Sequence, residues 1–353
     1  MSATSLGAPT EISDEKQREQ SSSQPERGVS KHDRPTPGSL LSAIALFLWP
    51  AYLAIVIGLP EADLLRRAST TPVILLTGAW IVILIGWTAA SRISPGSFAA
   101  KSLTHFLPWI TAAGAWFIVW QLSTSKLGIL TPPYFAAPEV LIASFAHDWR
   151  LLLSCLGASA LLFAIGYTVG SLLGFLTGLL MGWSKRADYW LHPLLQTVGP
   201  VPAASLLPLA LLLLPTTYAS AAFIVGFGAW FPMATMTRAG VRSVRRDYID
   251  MARTLGADEL FLIRRVAVPS ALPDMLTGLF TGLGTSLAAL MTAELTGVDK
   301  GLAWYINWVK GWADYPRMYV GLIILVAFCR TLMVLLFKIR SSLLAWQQNL
   351  VRW

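Results

Sequence analysis

Apolar runs separated by short polar segments fill the chain from residue 39 onward. A bilayer crossing takes about 20 apolar residues. Eight runs reach or approach that length: 39–59, 72–90, 104–123, 151–183, 196–214, 219–237, 276–296 and 318–337. The pattern predicts an all-α membrane protein, a polytopic helical bundle of about eight spans. Residues 1–38 read differently. They are rich in Ser, Glu, Gln, Arg and Pro and hold no apolar run of the kind a signal peptide needs. A segment that polar buries too little surface to fold alone, so it is expected as a disordered cytoplasmic tail.

Two runs depart from a plain crossing. Residues 151–183 would make a helix of about 50 Å, against a hydrocarbon core of about 30 Å. Such a helix must tilt, kink or project into the cytoplasm. Its glycines Gly166, Gly170, Gly174, Gly178 and Gly182 recur every four residues. At that step they form a ridge narrow enough for another helix backbone to approach, either a span of the same chain or one of a second subunit. Residues 196–214 carry Pro200, Pro202 and Pro208. Proline deletes helix hydrogen bonds, and in lipid the freed carbonyls persist only where protein or a watery cavity covers them. These prolines are candidates for lining a translocation path, with a kinked buried helix as the alternative.

Only 13% of the 353 residues are charged and 55% are hydrophobic. A soluble domain carries about 25% charged residues, so a protein wetted on all sides is excluded. The net charge of +8 does not point to nucleic acid, because the basic residues sit in loops between apolar runs. With the N-terminus placed inside, 19 lysines and arginines fall on cytoplasmic segments, seven fall outside, and Arg330 lies within the last span. That asymmetry predicts N-in and C-in. Cys155 and Cys329 lie in apolar runs, where packing is the expected role. The four histidines form no cluster with other ligands, so no metal site is expected. No G-x-x-x-x-G-K-[ST] phosphate loop occurs, nor a G-x-S-x-G or H-E-x-x-H motif. No catalytic residue and no cofactor are expected, and any ATP used must be bound by another subunit.

The most informative segment is the 38-residue loop Arg238–Met275, which carries seven arginines. It is longer than a simple connector. Val241, Val244, Tyr248, Met251, Ala252 and Leu255 recur at helical spacing. Gly256 interrupts them, and Ala257, Asp258 and Glu259 can start a second helix with acidic residues in its first turn. That helix runs through Leu260, Ile263 and Val266 until Pro269 ends it. A short helix–turn–helix on the cytoplasmic face is the prediction. Its apolar sides need a protein partner, or else rest on the membrane surface.

This loop resembles the cytoplasmic loop of ABC-importer permeases, whose pattern is E-A-A-x3-G-x9-I-x-L-P. Asp250, Met251 and Ala252 take the first three positions, Gly256 follows after three residues, and Val266, Val268 and Pro269 hold the closing ones. Met251 is the largest departure. From Pro138 to Trp353 the chain is similar to the branch that imports nitrate, sulfonates, taurine, bicarbonate and some vitamin precursors. The similarity includes Gly182-Trp183-Ser184, Gly199-Pro200-Val201-Pro202, Phe231-Pro232, Val268-Pro269-Ser270-Ala271-Leu272-Pro273 and Ala293-Glu294-Leu295. The resemblance implies a type I importer core over 138–353, with the first two of the three N-terminal spans in 39–123 as additions.

It further implies that Tyr248, Asp250, Met251, Ala252, Arg253, Leu255, Gly256, Ala257, Val266, Val268 and Pro269 form a coupling loop docked on a cytoplasmic ABC ATPase dimer. The remaining implied partners are a second permease subunit forming a homodimer, an extracytoplasmic solute-binding protein and the lipids of a bacterial inner membrane. A self-sufficient ion-coupled transporter is the alternative, but it would show inverted repeats and more intramembrane acids. A membrane-embedded enzyme lacks its catalytic cluster.

Two charges remain. Glu294 closes an apolar run and Arg330 sits within one. Intramembrane charges often mark a pathway, so both are candidates, and the two are expected to pair. Trp304, Tyr305, Trp308 and Trp312 predict an aromatic outer loop at the interface.

Overall fold

The computed structural model describes residues 37–60, 69–93 and 98–344, and all regular structure among them is helical. Six helices are long and apolar enough to cross a membrane: Thr71–Ser91, His105–Lys126, Pro138–Trp183, Thr217–Arg242, Glu259–Thr296 and Tyr315–Leu343. A shorter apolar helix covers Ser42–Gly58. The expected tail lies outside the described residues except at Pro37 and Gly38, which begin the first helix.

The first three helices, α1 (Pro37–Gly58), α2 (Thr71–Ile93) and α3 (Phe98–Gln121), enclose a core of their own. Trp49, Tyr52, Val73, Leu84 and Leu107 are buried in it. Helix α4 (Pro138–Trp183) is 46 residues long, about 70 Å at 1.5 Å per residue. It starts 13 residues before the expected apolar run, because Pro138 suits a first helical turn. The extra length carries His147, Asp148 and Arg150. It extends the helix at the end away from the 238–275 loop, beyond the apolar run read from the sequence.

The fifth expected span is not one helix. Helix α5 (Lys185–Val198) and the segment Ala203–Leu213, whose last part is α6 (Leu207–Leu213), meet at 90°. Pro200 and Pro202 stand in the break, where their missing N–H groups leave no helical bond to lose. Whether this pair crosses the bundle is decided by its neighbours. Along α4, Gly166 lies against Ala222 and Val225, Gly174 against Trp230 and Met233, and Gly182 against Val241. Both numbers rise together, so α4 and α7 (Thr217–Arg242) run parallel. The chain between them must return through the thickness of the bundle, which makes α5–α6 a broken crossing rather than a re-entrant loop.

Helix α7 is the centre. Helix α10 (Val268–Thr296) packs on it antiparallel, with Gly278 beside Pro232 and Gly282 beside Ala229. Ser286 Oγ donates to the Val225 carbonyl at 2.9 Å and Thr285 Oγ1 to that of Gly228 at 2.6 Å. The glycine ridge of α4 is filled by α7 of the same chain. A methyl group on Gly170 would run into the Gly226 backbone, and one on Gly178 would sit 2.5 Å from the Ala234 carbonyl oxygen. Helices α11 (Leu302–Gly311) and α12 (Tyr315–Leu343) close the bundle.

Candidate functional site

The loop face is organised by α8 (Arg246–Thr254) and the turn after it. Helix α8 ends in a Schellman cap. The Ala257 N–H donates to the Ala252 carbonyl at 3.0 Å and the Gly256 N–H to that of Arg253 at 3.0 Å. The cap needs a left-handed residue, and Gly256 supplies it at φ +87°. The spacing from Ala252 to Gly256 is thus the spacing of a helix stop: Ala252, two residues before the last helical residue Thr254, accepts, and Gly256, two after it, bends.

The next turn, α9 (Glu259–Phe261), is capped by Asp258, whose carboxylate accepts from the Phe261 N–H at 2.8 Å. Glu259 fastens the elbow. It pairs with Arg253 at 2.8 Å and accepts from Trp183 Nε1 at the end of α4 at 3.1 Å.

The second helix does not end at Pro269. A π-helical stretch, Leu262–Ala267, joins α9 directly to α10, and Pro269 falls in the first turn of α10. The Val268 N–H bonds back to the Ile263 carbonyl. Pro269, next in line, needs no acceptor, so the wide turn absorbs it without an orphaned carbonyl partner. The predicted separate second helix is therefore the first part of a membrane span, and Glu259–Thr296 is one 38-residue unit.

The side chains of the elbow divide by exposure. Leu262 and Ala267 are buried, whereas no residue of α8 is. Tyr248 is 50% exposed, Met251 60% and Leu255 86%. Leu260 and Phe261 are exposed beside them. Asp250 and Arg253 are exposed, Ala252 and Ala257 half-buried, Val266 and Val268 half-buried, and Pro269 exposed. A methyl group on Gly256 would meet nothing within 4 Å. The result is an apolar knuckle held in a fixed bend and projecting into open space.

Behind it, Asp188 in the first turn of α5 receives Arg238 Nε at 2.6 Å and Arg242 Nη1 at 2.7 Å. This pair ties α5 to the last turns of α7. No pattern in the sequence marks it, since the partners stand 50 residues apart.

A groove of about 480 Å³ opens between the broken crossing, α7 and α10. Pro200, Pro202, Phe231, Thr281, Thr285 and Thr292 are among the residues that line it. Pro208 lies outside its lining, exposed in the first turn of α6.

The expected pair Glu294–Arg330 does not form. Glu294 is 1% exposed and accepts from Ser159 Oγ and, at 2.8 Å, from the Ala303 N–H. Arg330 is exposed on α12, on the stripe of Ile323, Val326 and Phe337, which are likewise exposed. The cause is rotational: α12 turns Phe328 inward, and Arg330, two residues on, points to the other side. The aromatic loop is also corrected. Trp304 to Trp308 belong to α11, Trp304 stacks on Trp308 at 5.8 Å, and Tyr305 is fully buried with its hydroxyl on Asp148 at 2.8 Å. Sequence reasoning missed Ser159, which lies 135 residues from its partner.

A family model described as binding-protein-dependent transport system inner membrane component matches residues 166–345. Among curated relatives, the formylaminopyrimidine transport permease ThiX of Halalkalibacterium halodurans is 28% identical over 44% of this chain and 62% of its own length. The putative aliphatic sulfonates transport permease SsuC of Bacillus subtilis is 30% identical over 44% of this chain and 56% of its own. The chain thus spans about six tenths of the length of these relatives. A solved inward-facing MetNI methionine ABC transporter is 18% identical with a TM-score of 0.49, covering 56% of this chain and 97% of that one.

Proposed function

Since the chain belongs to the family of binding-protein-dependent transport system inner membrane components, we propose that it is the membrane-crossing permease subunit of an ATP-driven importer and that its elbow docks on a separate ATPase. The observation that carries the reading is the elbow itself: a capped bend at Gly256 that leaves Tyr248, Met251 and Leu255 exposed on a helix with no buried residue. Apolar side chains held rigidly away from their own core are the anatomy of a surface made for a partner. The arginines around the elbow support a cytoplasmic position for this face, and Arg340, stacked over Phe280 at 5.7 Å, supports the same side for the end of α12. On this reading the N-terminal and C-terminal segments are both cytoplasmic.

Two copies of the chain form the path, each lending its elbow to one ATPase of a dimer, and an outer binding protein delivers the solute. The groove between the broken crossing and α10 is the part of the path this copy contributes. The solute is small, a nitrate-, sulfonate-, taurine- or bicarbonate-like anion or a vitamin precursor. This chain performs no covalent step: ATP is hydrolysed by the partner, and the elbow converts closure of the ATPases into movement of the spans.

Gly256→Val tests the docking. It adds branched bulk in the left-handed region but meets open space, so the protein inserts and folds. Uptake driven by ATP is expected to be lost while membrane levels stay normal. Preserved uptake would contradict the proposal.

A further inference from the structure

We propose that Glu294 is the joint through which movement of the elbow reaches the opposite face of the bundle; the inference rests on the importer reading and goes beyond it. Helix α10 begins at the elbow without a break, since Glu259–Thr296 is one 38-residue unit, about 55 Å long. Whatever displaces Gly256 and Glu259 therefore displaces the far end of this rod. Glu294 stands in its last turn.

At that end the carboxylate is enclosed and fully used. One oxygen accepts from Ser159 Oγ of α4, and the other from the Ala303 N–H at 2.8 Å. Ser159 Oγ in turn accepts from the Leu302 N–H at 2.8 Å. The first two N–H groups of α11 are thus held by side chains of α10 and α4. A Cβ at Gly301 would run into the carboxylate, so the approach is as close as glycine permits. The carboxyl group also faces the N-terminal end of a 10-residue helix.

The character of these bonds matters for transmission. Apolar helix faces slide on one another at little cost, whereas a buried carboxylate stripped of a partner is expensive. Helix α11 must follow Glu294 or leave buried hydrogen-bonding groups unpaired. Its other polar tie, Tyr305 to Asp148, runs to the N-terminal part of α4. Movement of α10 relative to α4 therefore reorients α11 between these two attachments. Helix α11 carries the stacked Trp304 and Trp308. Glu294 is a positioning residue: it touches no solute and acts by placing α11.

The test uses the chain reconstituted in liposomes with its ABC ATPase and solute-binding protein, in a Cys329→Ser background. Spin labels at His147→Cys on α4 and Lys310→Cys on α11 report the far face. The otherwise unchanged complex should hydrolyse ATP and change the label distance when ATP binds. Glu294→Ala should still hydrolyse ATP at close to the same rate, lose the distance change, and show uptake lowered by about tenfold or more, the size of an ordinary coupling free energy. Glu294→Gln, which keeps one acceptor, should fall between. If Glu294→Ala fails to assemble, Ser159→Ala leaves the carboxylate bond to Ala303 and should lower uptake with hydrolysis intact.

Unchanged uptake or an unchanged distance response in these variants overturns the proposal. So does a parallel loss of hydrolysis in all of them, which would mark a purely structural role. Absence of ATP hydrolysis by the unsubstituted complex would instead overturn the importer reading itself, while uptake lost only in the Glu294 variants leaves that reading standing.

Discussion

The seam between α4 and α7 and the elbow after α8 both depend on glycine, and they end in opposite conditions. Along the seam, Gly166 to Gly182 lie against the backbone and Cβ atoms of α7, and a methyl group at any of the five would collide. At the elbow, Gly256 is needed for its φ of +87° alone, and a methyl group there would meet nothing within 4 Å. In one case glycine brings two surfaces together; in the other it aims a surface outward. The seam is complete within one chain. The elbow is equally ordered, with a Schellman cap, an N-cap and an ion pair, yet Leu255 at its tip is 86% exposed. The apolar side chains of the elbow stay outside the chain's own core, whereas the ridge is packed within it.

The contrast can be broken from either side. The largest effect is expected at the seam. Gly170→Leu drives a side chain into the Gly226 backbone, which cannot yield as a rotamer can. The cost exceeds the roughly 1–3 kcal/mol of ordinary overpacking, and the variant should yield no folded, monodisperse protein in detergent. A normal elution profile would show that the ridge is not packed as described. Gly256→Val is the counterpart, with strain of roughly 1–2 kcal/mol confined to the turn, a folded bundle and lost uptake.

The smallest effect is expected at Asp188. Asp188→Asn removes the charge that Arg238 and Arg242 share and should cost about 1 kcal/mol, read as a drop of a few degrees in Tm. An unchanged Tm would show that Asp188 does not hold α5 to the end of α7.

What the sequence disclosed follows the same division between local and distant causes. The apolar runs, the every-fourth-residue ridge and the helix stop at Gly256 are patterns within one segment and could be read there. The fate of Pro269 was not: a π turn, visible only in three dimensions, lets the helix run past it. Likewise Pro200 and Pro202 announced a disturbance in 196–214. Its form, a 90° break, depends on α4 and α7 running parallel. The pairing assigned to Glu294 failed for a related reason. Arg330 was the visible opposite charge, but helix rotation turns it outward, and the true partners, a serine hydroxyl and a backbone N–H, carry no charge to advertise them.

The central claim is that the elbow is a docking surface for a separate ATPase, and Leu255 is the place to ask. Leu255→Cys, made in membranes that contain the complete transport system with Cys329→Ser, should form a crosslink to the ATPase subunit on mild oxidation when a cysteine is placed in that subunit's surface cleft. The crosslink should disappear in Gly256→Val. Efficient solute uptake by the chain without any ATPase, or a Leu255→Cys that crosslinks only to lipid-facing probes, would contradict it.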